Sequence, residues 1–507
     1  MIGRQRELVE LEQLLATARE GRPALAVVEG PAGIGKTTLV EHVLSREDDL
    51  RVRWVDGMSW EQDLPLGLLR RAVLQDPDLQ DLAGDRTDDS PASTGQRLAE
   101  RWRTASGHPS VVVVDDAHWA DLASLRALAS AVRRLSADPV LVLLLARTPP
   151  GASGSAEVDD FLLQHRETAV RLGPLTPADA QTIAARCSGV DLPSPAAQQL
   201  CAHTSGNPRH IAELLDEVPA EHWLEGQPDL PAPRSVAATV SRALDACGQP
   251  ARELVEAAAV LGDSLPFAEA ARLSDVTGPI AALDEASRRG LLATSDVRGL
   301  TTVTFPDPMV RAAVCAQLAP LRRQQLHGAA AEIVEDEHTR LSHRVALAPF
   351  PDADLADELD EFASRQATVG AWSVVADALV SASRLSTGRV KRAERLVRAV
   401  DALVGAGDLS RALAFAPAVE SSAESPLRDA VLGYLAILQG RSEEAEMLLT
   451  RAWQQCDRDR EPATAALICQ RRVLHSMSRW RGPELVSWGR EAVQLSTPGG
   501  PVLLKLS

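Results

Sequence analysis

The sequence predicts a doubly wound α/β domain with a parallel sheet, followed by a mostly helical remainder. Three observations carry this expectation. Short apolar runs alternate with helical patterns over about the first 170 residues. A glycine-rich segment joins the first apolar run to a helix. From about Leu321 onward only helical periodicity remains.

The elements follow in order. Residues 5–20 place Leu8, Leu11, Leu14 and Leu15 at helical spacing. Leu25-Ala26-Val27-Val28 reads as a buried strand, and a helix is expected from about Lys36 to Leu44. A second strand is expected at Val52–Val55, then helix at Leu66–Leu74 and a polar loop from Asp76 to Gln96. Val111 to Val114 are four β-branched residues in a row, which suits a central strand buried on both faces. A helix from Leu122 to Leu135, a strand at Val140–Ala146, a loop at Pro149–Ser155 and a short strand at Ala169–Leu172 complete the α/β pattern.

After Pro177 the pattern turns helical, with two helices flanking Thr204-Ser205-Gly206-Asn207-Pro208. Gln227–Arg234 holds three prolines and reads as a linker. Residues 235–315 combine helices, a turn at Arg289-Gly290 and short strands at Leu291–Ala293 and Thr301–Phe305, the pattern of a winged helix. Farther on, Gly370, Gly407, Gly440 and Gly482 recur at spacings of 37, 33 and 42 residues. Ala406-Gly407-Asp408-Leu409-Ser410-Arg411-Ala412 parallels Gln439-Gly440-Arg441-Ser442-Glu443-Glu444-Ala445. Such spacing resembles tetratricopeptide-type repeats, with a plain helical bundle as the alternative. The expected domains are therefore 1–175 (P-loop α/β domain), 176–230 (helical lid), 231–318 (winged helix) and 319–507 (tetratricopeptide-like helical region).

Bulk properties bound the function. A chain of 507 residues is too long for one ordinary core. Only 3% of residues are aromatic against 45% hydrophobic, so the cores rest on Leu, Val and Ala, which favours helices. A formal net charge of -17 excludes general polyanion binding by the chain as a whole. The six cysteines form no CxxC pair and read as free, mostly buried thiols of a reducing compartment. Cys187, Cys201 and His203 as metal ligands would be the alternative, without zinc-type spacing to support it. The N-terminus has no apolar signal core, and the longest apolar run, Val140–Ala146, falls far short of the ~20 residues of a membrane helix. A cytoplasmic protein without membrane contact is expected.

Gly30-Pro31-Ala32-Gly33-Ile34-Gly35-Lys36-Thr37 fits G-x-x-x-x-G-K-[ST] in full. Glycines at positions 30, 33 and 35 let the backbone curl so that its N–H groups meet phosphate oxygens. The following helix, opening at Lys36, Thr37 and Thr38, adds the positive end of its dipole. Lys36 is expected on the β- and γ-phosphates, and the Thr37 hydroxyl on Mg²⁺. About 80 residues on, the valine strand delivers Asp115 and Asp116 to the sheet edge where ligands bind. Asp115 is expected in the Mg²⁺ shell and Asp116 at the attacking water; the alternative is a pair of helix N-cap acids. Arg147 ends the next strand and suits a γ-phosphate sensor, or else a plain surface arginine. Gly206-Asn207-Pro208 alone could equally be an ordinary helix-joining turn. His118 and Trp119 read as packed surface positions without a visible partner.

Val111–Asp121, with Ser124-Leu125-Arg126 after it, resembles the Walker B segment of the large ATP-binding regulators of the LuxR family. These belong to the signal-transducing STAND class of P-loop ATPases. Gly3-Arg4-Gln5-Arg6-Glu7-Leu8, Leu64-Pro65-Leu66-Gly67-Leu68-Leu69, Leu172-Gly173-Pro174-Leu175 and Ser205-Gly206-Asn207-Pro208 resemble further family segments. The resemblance spans roughly residues 1–330. It implies Gly3 and Arg4 near adenine and ribose, Pro208 packed on the adenine, Arg147 as sensor, and a winged helix that closes over the nucleotide. It also implies a switch: ADP holds a closed monomer, and an inducer with ATP opens it and allows self-association. An inducer or partner protein would bind the helical repeats.

Two departures stand out. Family members often carry His before Pro in F-x-H-P-L-V-R, where this chain has Phe305-Pro306-Asp307-Pro308-Met309-Val310-Arg311. They also usually end in a helix-turn-helix DNA-binding domain, whereas this chain ends in Thr497–Ser507 with no such segment before it. The expectation is a truncated regulator or one acting through a separate output protein. An ATPase enzyme built for turnover, and a helical scaffold with structural nucleotide, are the rival functions.

Overall fold

The computed structural model describes residues 1–74, 90–104, 108–147, 155–224, 230–297 and 300–495. The loop readings at 76–89 and 149–154, the linker start at 227–229 and the tail at 497–507 lie outside the described residues. Two compact units emerge: residues 1–191 with 200–216, and 192–199 with 217–507.

The first unit runs α1 (Gln5–Arg19), β1 (Ala24–Gly30), α2 (Lys36–Leu44), β2 (Arg51–Asp56), α3 (Gly67–Leu74), α4 (Pro91–Thr104), β3 (Ser110–Asp115), α5 (Leu122–Arg134), β4 (Val140–Arg147), α6 (Ala156–Gln164), β5 (Val170–Arg171) and α7 (Pro177–Ile183). After α8 (Ser194–Thr204), α9 (Pro208–Glu217) returns to it. Its five strands lie in the order β2-β3-β4-β1-β5, every pair parallel.

Alternation along the buried strands separates two faces. Val111, Val113, Leu141, Leu143 and Leu145 pack with Leu11, Leu15 and Leu39 of α1 and α2. Val112, Val114, Val142 and Leu144 pack with Leu98, Trp102, Leu125 and Leu128 of α4 and α5. Burial on both faces is why β3 and β4 read as unbroken apolar runs. Register then aims the chemistry: Gly30 pairs with Arg147, and Asp56 with Asp115.

One element of the first unit departs from the sequence reading. Residues 91–96, expected in a loop, open α4. Gly95 permits it to lie close to α5, since a Cβ there would sit 2.7 Å from the Ala127 carbonyl oxygen. Leu98, Ala99 and Trp102 supply the buried stripe. The polar start of the helix hid a periodicity that begins only at its second turn.

The second unit begins with α10 (Ala220–Leu224), then α11 (Arg234–Asp245), α12 (Gln249–Leu261), β6 (Ser264–Pro266), α13 (Phe267–Ser274), α14 (Pro279–Arg288), β7 (Ala293–Val297), β8 (Leu300–Thr304) and α15 (Pro308–Gln317). The three strands form an antiparallel sheet in the order β6-β8-β7, the wing of a winged helix. Its first hairpin strand starts later than read, because Leu291 and Leu292 are core anchors ahead of the strand. Asp307, the family departure, caps α15 by accepting the Met309 amide at 2.8 Å.

Ten helices complete the described chain: α16 (Pro320–Ile333), α17 (Glu337–Leu347), α18 (Ala353–Val369), α19 (Trp372–Leu385), α20 (Arg389–Gly405), α21 (Leu409–Glu420), α22 (Pro426–Leu438), α23 (Ser442–Gln455), α24 (Pro462–Ser478) and α25 (Gly482–Leu495). Gly370, Gly407 and Gly440 take left-handed backbone at hairpin turns. The fourth turn position belongs to Trp480, not to Gly482. Arg411–Asp377 and Lys391–Asp357 ion pairs, each 34 residues apart, tie successive repeats together.

Candidate functional site

Positive backbone angles at Gly33 (φ 78) and Gly35 (φ 98) curl the loop between β1 and α2. Side chains disfavour that region, so glycine is required there. Ile34, 2% exposed, anchors the loop in the core. Four loop carbonyls are held by side chains. The Lys36 ammonium donates to Gly30 O at 2.9 Å and Pro31 O at 3.0 Å. Asn207 Nδ2 donates to Ala32 O at 2.7 Å, and Arg4 Nη2 to Ile34 O at 3.1 Å. With these carbonyls engaged, backbone N–H groups are left for an anion. Leu39 N to Gly35 O, at 2.9 Å, is the bond that closes the first turn of α2. The amides of Lys36, Thr37 and Thr38 precede that bond and have no intrahelical acceptor.

Across the sheet edge, the Thr37 hydroxyl donates to Asp115 Oδ2 at 2.8 Å. The other Asp115 oxygen accepts the Asp116 amide at 2.8 Å. Hydroxyl and carboxylate side by side are the hard oxygen donors that Mg²⁺ takes, leaving further positions for phosphate and water. Among the described residues no group of three or more His, Cys, Asp or Glu is placed to hold a metal ion without such help.

Asp116 occupies left-handed backbone, φ 45 and ψ 44, an arrangement costly for a non-glycine residue. Arg147 Nε lies 3.5 Å from its Oδ1. Burial pushes the Lys36 pKa down; Arg147 pushes the same way, and Asp116 and Asp115 oppose it. Burial also drives the His118 imidazole down to about 4, against the pull of Asp116.

The flanking residues separate into two groups. Arg4 is 3% exposed, and its guanidinium also bonds Gly173 O at 2.7 Å and Glu7 at 3.1 Å. Gly3 (φ 67) faces the Asp179 carboxylate, which a Cβ would approach to 2.6 Å. Pro208 opens α9 directly after Asn207, and a Cβ on Gly33 would meet Asn207 Oδ1 at 3.0 Å and Arg209 Cβ at 3.1 Å. Thus the structure brings Gly30, Gly33, Gly35, Lys36, Thr37, Asp115, Asp116, Arg147 and the Asn207-Pro208 turn to one sheet edge. Gly3 and Arg4 stand at the flank, where Arg4 braces the loop.

Residues 1–143 match the family model of the AAA ATPase domain. The matched stretch lies within the first unit and includes the phosphate loop, Asp115 and Asp116. No curated protein matches the chain. Among solved structures, a signal transduction ATPase with numerous domains and a tetratricopeptide repeat sensor from Pyrococcus horikoshii is 13% identical, covering 98% of this chain and 70% of that one, with a TM-score of 0.28. The ORC2 protein of Aeropyrum pernix, solved in ADPNP-ADP complexes, is 14% identical over 62% of this chain and 94% of its own, TM-score 0.38. RuvB of Thermotoga maritima is 15% identical over 60% and 92%, TM-score 0.31.

Three supports of the site have roles that the sequence motifs did not assign. Asn207 grips the loop directly, though Gly-Asn-Pro alone reads as a turn. Asp121, 3% exposed, accepts from Leu66 N, Leu68 N, Ser124 N and Ser124 Oγ at 2.8, 3.1, 2.8 and 2.7 Å. It pins the Leu64–Leu69 segment to the start of α5. Its sequence signal was an aspartate at the N-cap position of α5. Gly57 follows β2 and donates its amide to Asp115 O at 2.8 Å. A Cβ at Gly57 would lie 2.3 Å from Asp116 O. A lone glycine after a strand gives no sign of that contact.

Proposed function

We propose that the chain is an ATP-binding signalling switch of the STAND class, a regulator of the LuxR kind, with slow hydrolysis resetting it from an ATP-open to an ADP-closed state. The observation that carries this reading is the 2.8 Å contact of Thr37 with Asp115, which joins phosphate loop and acidic strand beside a strained Asp116. The functional divisions are residues 1–175, 176–230, 231–318 and 319–507, the last binding an inducer or partner.

Loop and α2 amides, with Lys36, bind the phosphates. Thr37 and Asp115 would hold Mg²⁺, which would neutralise charge on the phosphates when bound. Asp116 accepts a hydrogen bond from water and orients its oxygen toward the γ-phosphorus. That oxygen forms the new bond to phosphorus as the bond to the bridging oxygen breaks and the water's proton passes to Asp116 and on to the released phosphate, giving ADP and phosphate. Arg147 leaves Asp116 for the terminal phosphate and so reports its presence. Pro208 packs on the base, near Gly3.

Titration with a fluorescent ATP analogue tests the core. Lys36→Ala removes a charged donor and should weaken binding by about 10- to 100-fold. Equal affinity in that variant would sink the reading. Steady-state phosphate release by the unmodified chain should be slow; many turnovers per second would mark an enzyme instead of a switch.

A further inference from the structure

His118 is 1% exposed, and neither ring nitrogen has a hydrogen-bond partner. A buried polar group left unpaired costs stability and calls for an explanation. The turn that carries it, Ala117–Trp119, is fixed, because Gln62 Nε2 donates to His118 O at 3.2 Å. Its Nδ1 lies 3.8 Å from Asp116 Oδ1. Arg147 Nε lies 3.5 Å from that same oxygen. Two donors therefore address one acceptor, and both stand beyond a good hydrogen bond. They differ in freedom: the Arg147 side chain is 40% exposed and that of His118 only 2%.

We propose that His118 is the positioning residue of Asp116, donating a ring N–H to Asp116 Oδ1 once Arg147 has moved to the terminal phosphate. This rests on the hydrolytic role given to Asp116 above. While Arg147 stays on Oδ1, guanidinium and imidazole share that oxygen, and neither contact is short enough to fix it. When it leaves, the Asp116 carboxylate, itself 42% exposed, turns onto the immobile imidazole, which fixes it for the attacking water. Burial keeps the ring neutral at pH 7. It thus brings a donor without adding charge beside Lys36 and Arg147. An apolar residue would fill the space at lower cost but could not hold Asp116.

The test uses the full chain and two variants, His118→Leu and His118→Gln. ATP affinity, single-turnover phosphate release and melting temperature are measured for each. His118→Leu removes the orphaned nitrogens, so its melting temperature should hold or rise. Its turnover should fall by about 10- to 100-fold, the range a misplaced catalytic group produces, with ATP affinity unchanged. His118→Gln keeps an N–H donor and should recover part of that loss. Equal turnover in wild type and His118→Leu overturns the inference. So does a parallel fall of turnover and melting temperature in both variants, which marks a packing role. Absence of hydrolysis in a wild-type chain that binds ATP would instead defeat the reading of Asp116 itself.

Discussion

Gly57 shows how one missing side chain can control a carboxylate. Asp116 holds left-handed backbone only because neighbouring groups fix its peptide. Gly57 lies against that peptide, with room for hydrogen but not carbon: a Cβ would also lie 3.0 Å from Ala120 N. Backbone cannot yield as a side chain can, so Gly57→Ala must shift the turn that carries Asp116 and His118. Overpacking of this kind costs about 1–3 kcal/mol. Lys36 and the loop glycines lie on other elements, and nucleotide binding should persist. We expect Gly57→Ala to retain ATP affinity and lose turnover by about 100-fold, as an error near 1 Å in placement produces. Parallel binding and phosphate-release measurements check this, and unaltered turnover would count against it. Lys36, Thr37, Asp115 and Asp116 were legible in the sequence because phosphate and metal chemistry restrict residue type and spacing. Gly57, Asn207 and Asp121 act through contacts 55 to 175 residues away in the chain; a local pattern marks Asp121 as a helix cap, but none names these distant partners.

At the scale of elements, the helical hairpins end alike. In each, the left-handed residue donates to the carbonyl three back, and the next residue to the carbonyl five back: Gly407 to Val404 and Asp408 to Leu403, Gly440 to Ile437 and Arg441 to Ala436. Trp480 to Met477 and Arg481 to Ser476 complete the same Schellman pattern. Glycine spacing revealed the repeat but assigned its last unit to Gly482, because an aromatic at a left-handed position breaks the rule being used. Trp480 has φ 58 and is 94% exposed, so it bears the backbone cost without burying its ring. Trp480→Gly should therefore stabilise the helical unit by about 0.5–1 kcal/mol, the left-handed penalty less the entropy of glycine. Urea denaturation should show a higher midpoint at unchanged slope. A lower midpoint would mean that the indole has a stabilising contact. The reverse error occurred in α4, where polar residues of the first turn concealed a helix that Gly95 lets pack closely.

Across the whole molecule, the strand order needed pairing between segments far apart in sequence, so the apolar runs foretold the parallel class but not the order β2-β3-β4-β1-β5. The charge balance likewise said nothing about individual buried histidines, yet these govern how the molecule meets acid. In the second unit, His343 on α17 is 5% exposed, and its Nδ1 lies 3.0 Å from His327 Nδ1 on α16. Burial, then His327 and Arg311, lower the His343 pKa to about 4; burial, Arg323 and Arg311 lower that of His327. In the unfolded chain both titrate near the ordinary value of about 6.5. Between those values the unfolded state binds more protons than the folded one, so stability falls as pH falls from about 6.5 toward 4. The loss is fully present below the folded pKa, and for His343 it is on the order of 3 kcal/mol at most. His343→Leu removes the buried base and should flatten this dependence while leaving ATP binding at neutral pH unaltered. Melting curves from pH 7.5 to 5, followed by circular dichroism, read it directly. An equally steep acid loss in His343→Leu would move the cause to groups outside this pair.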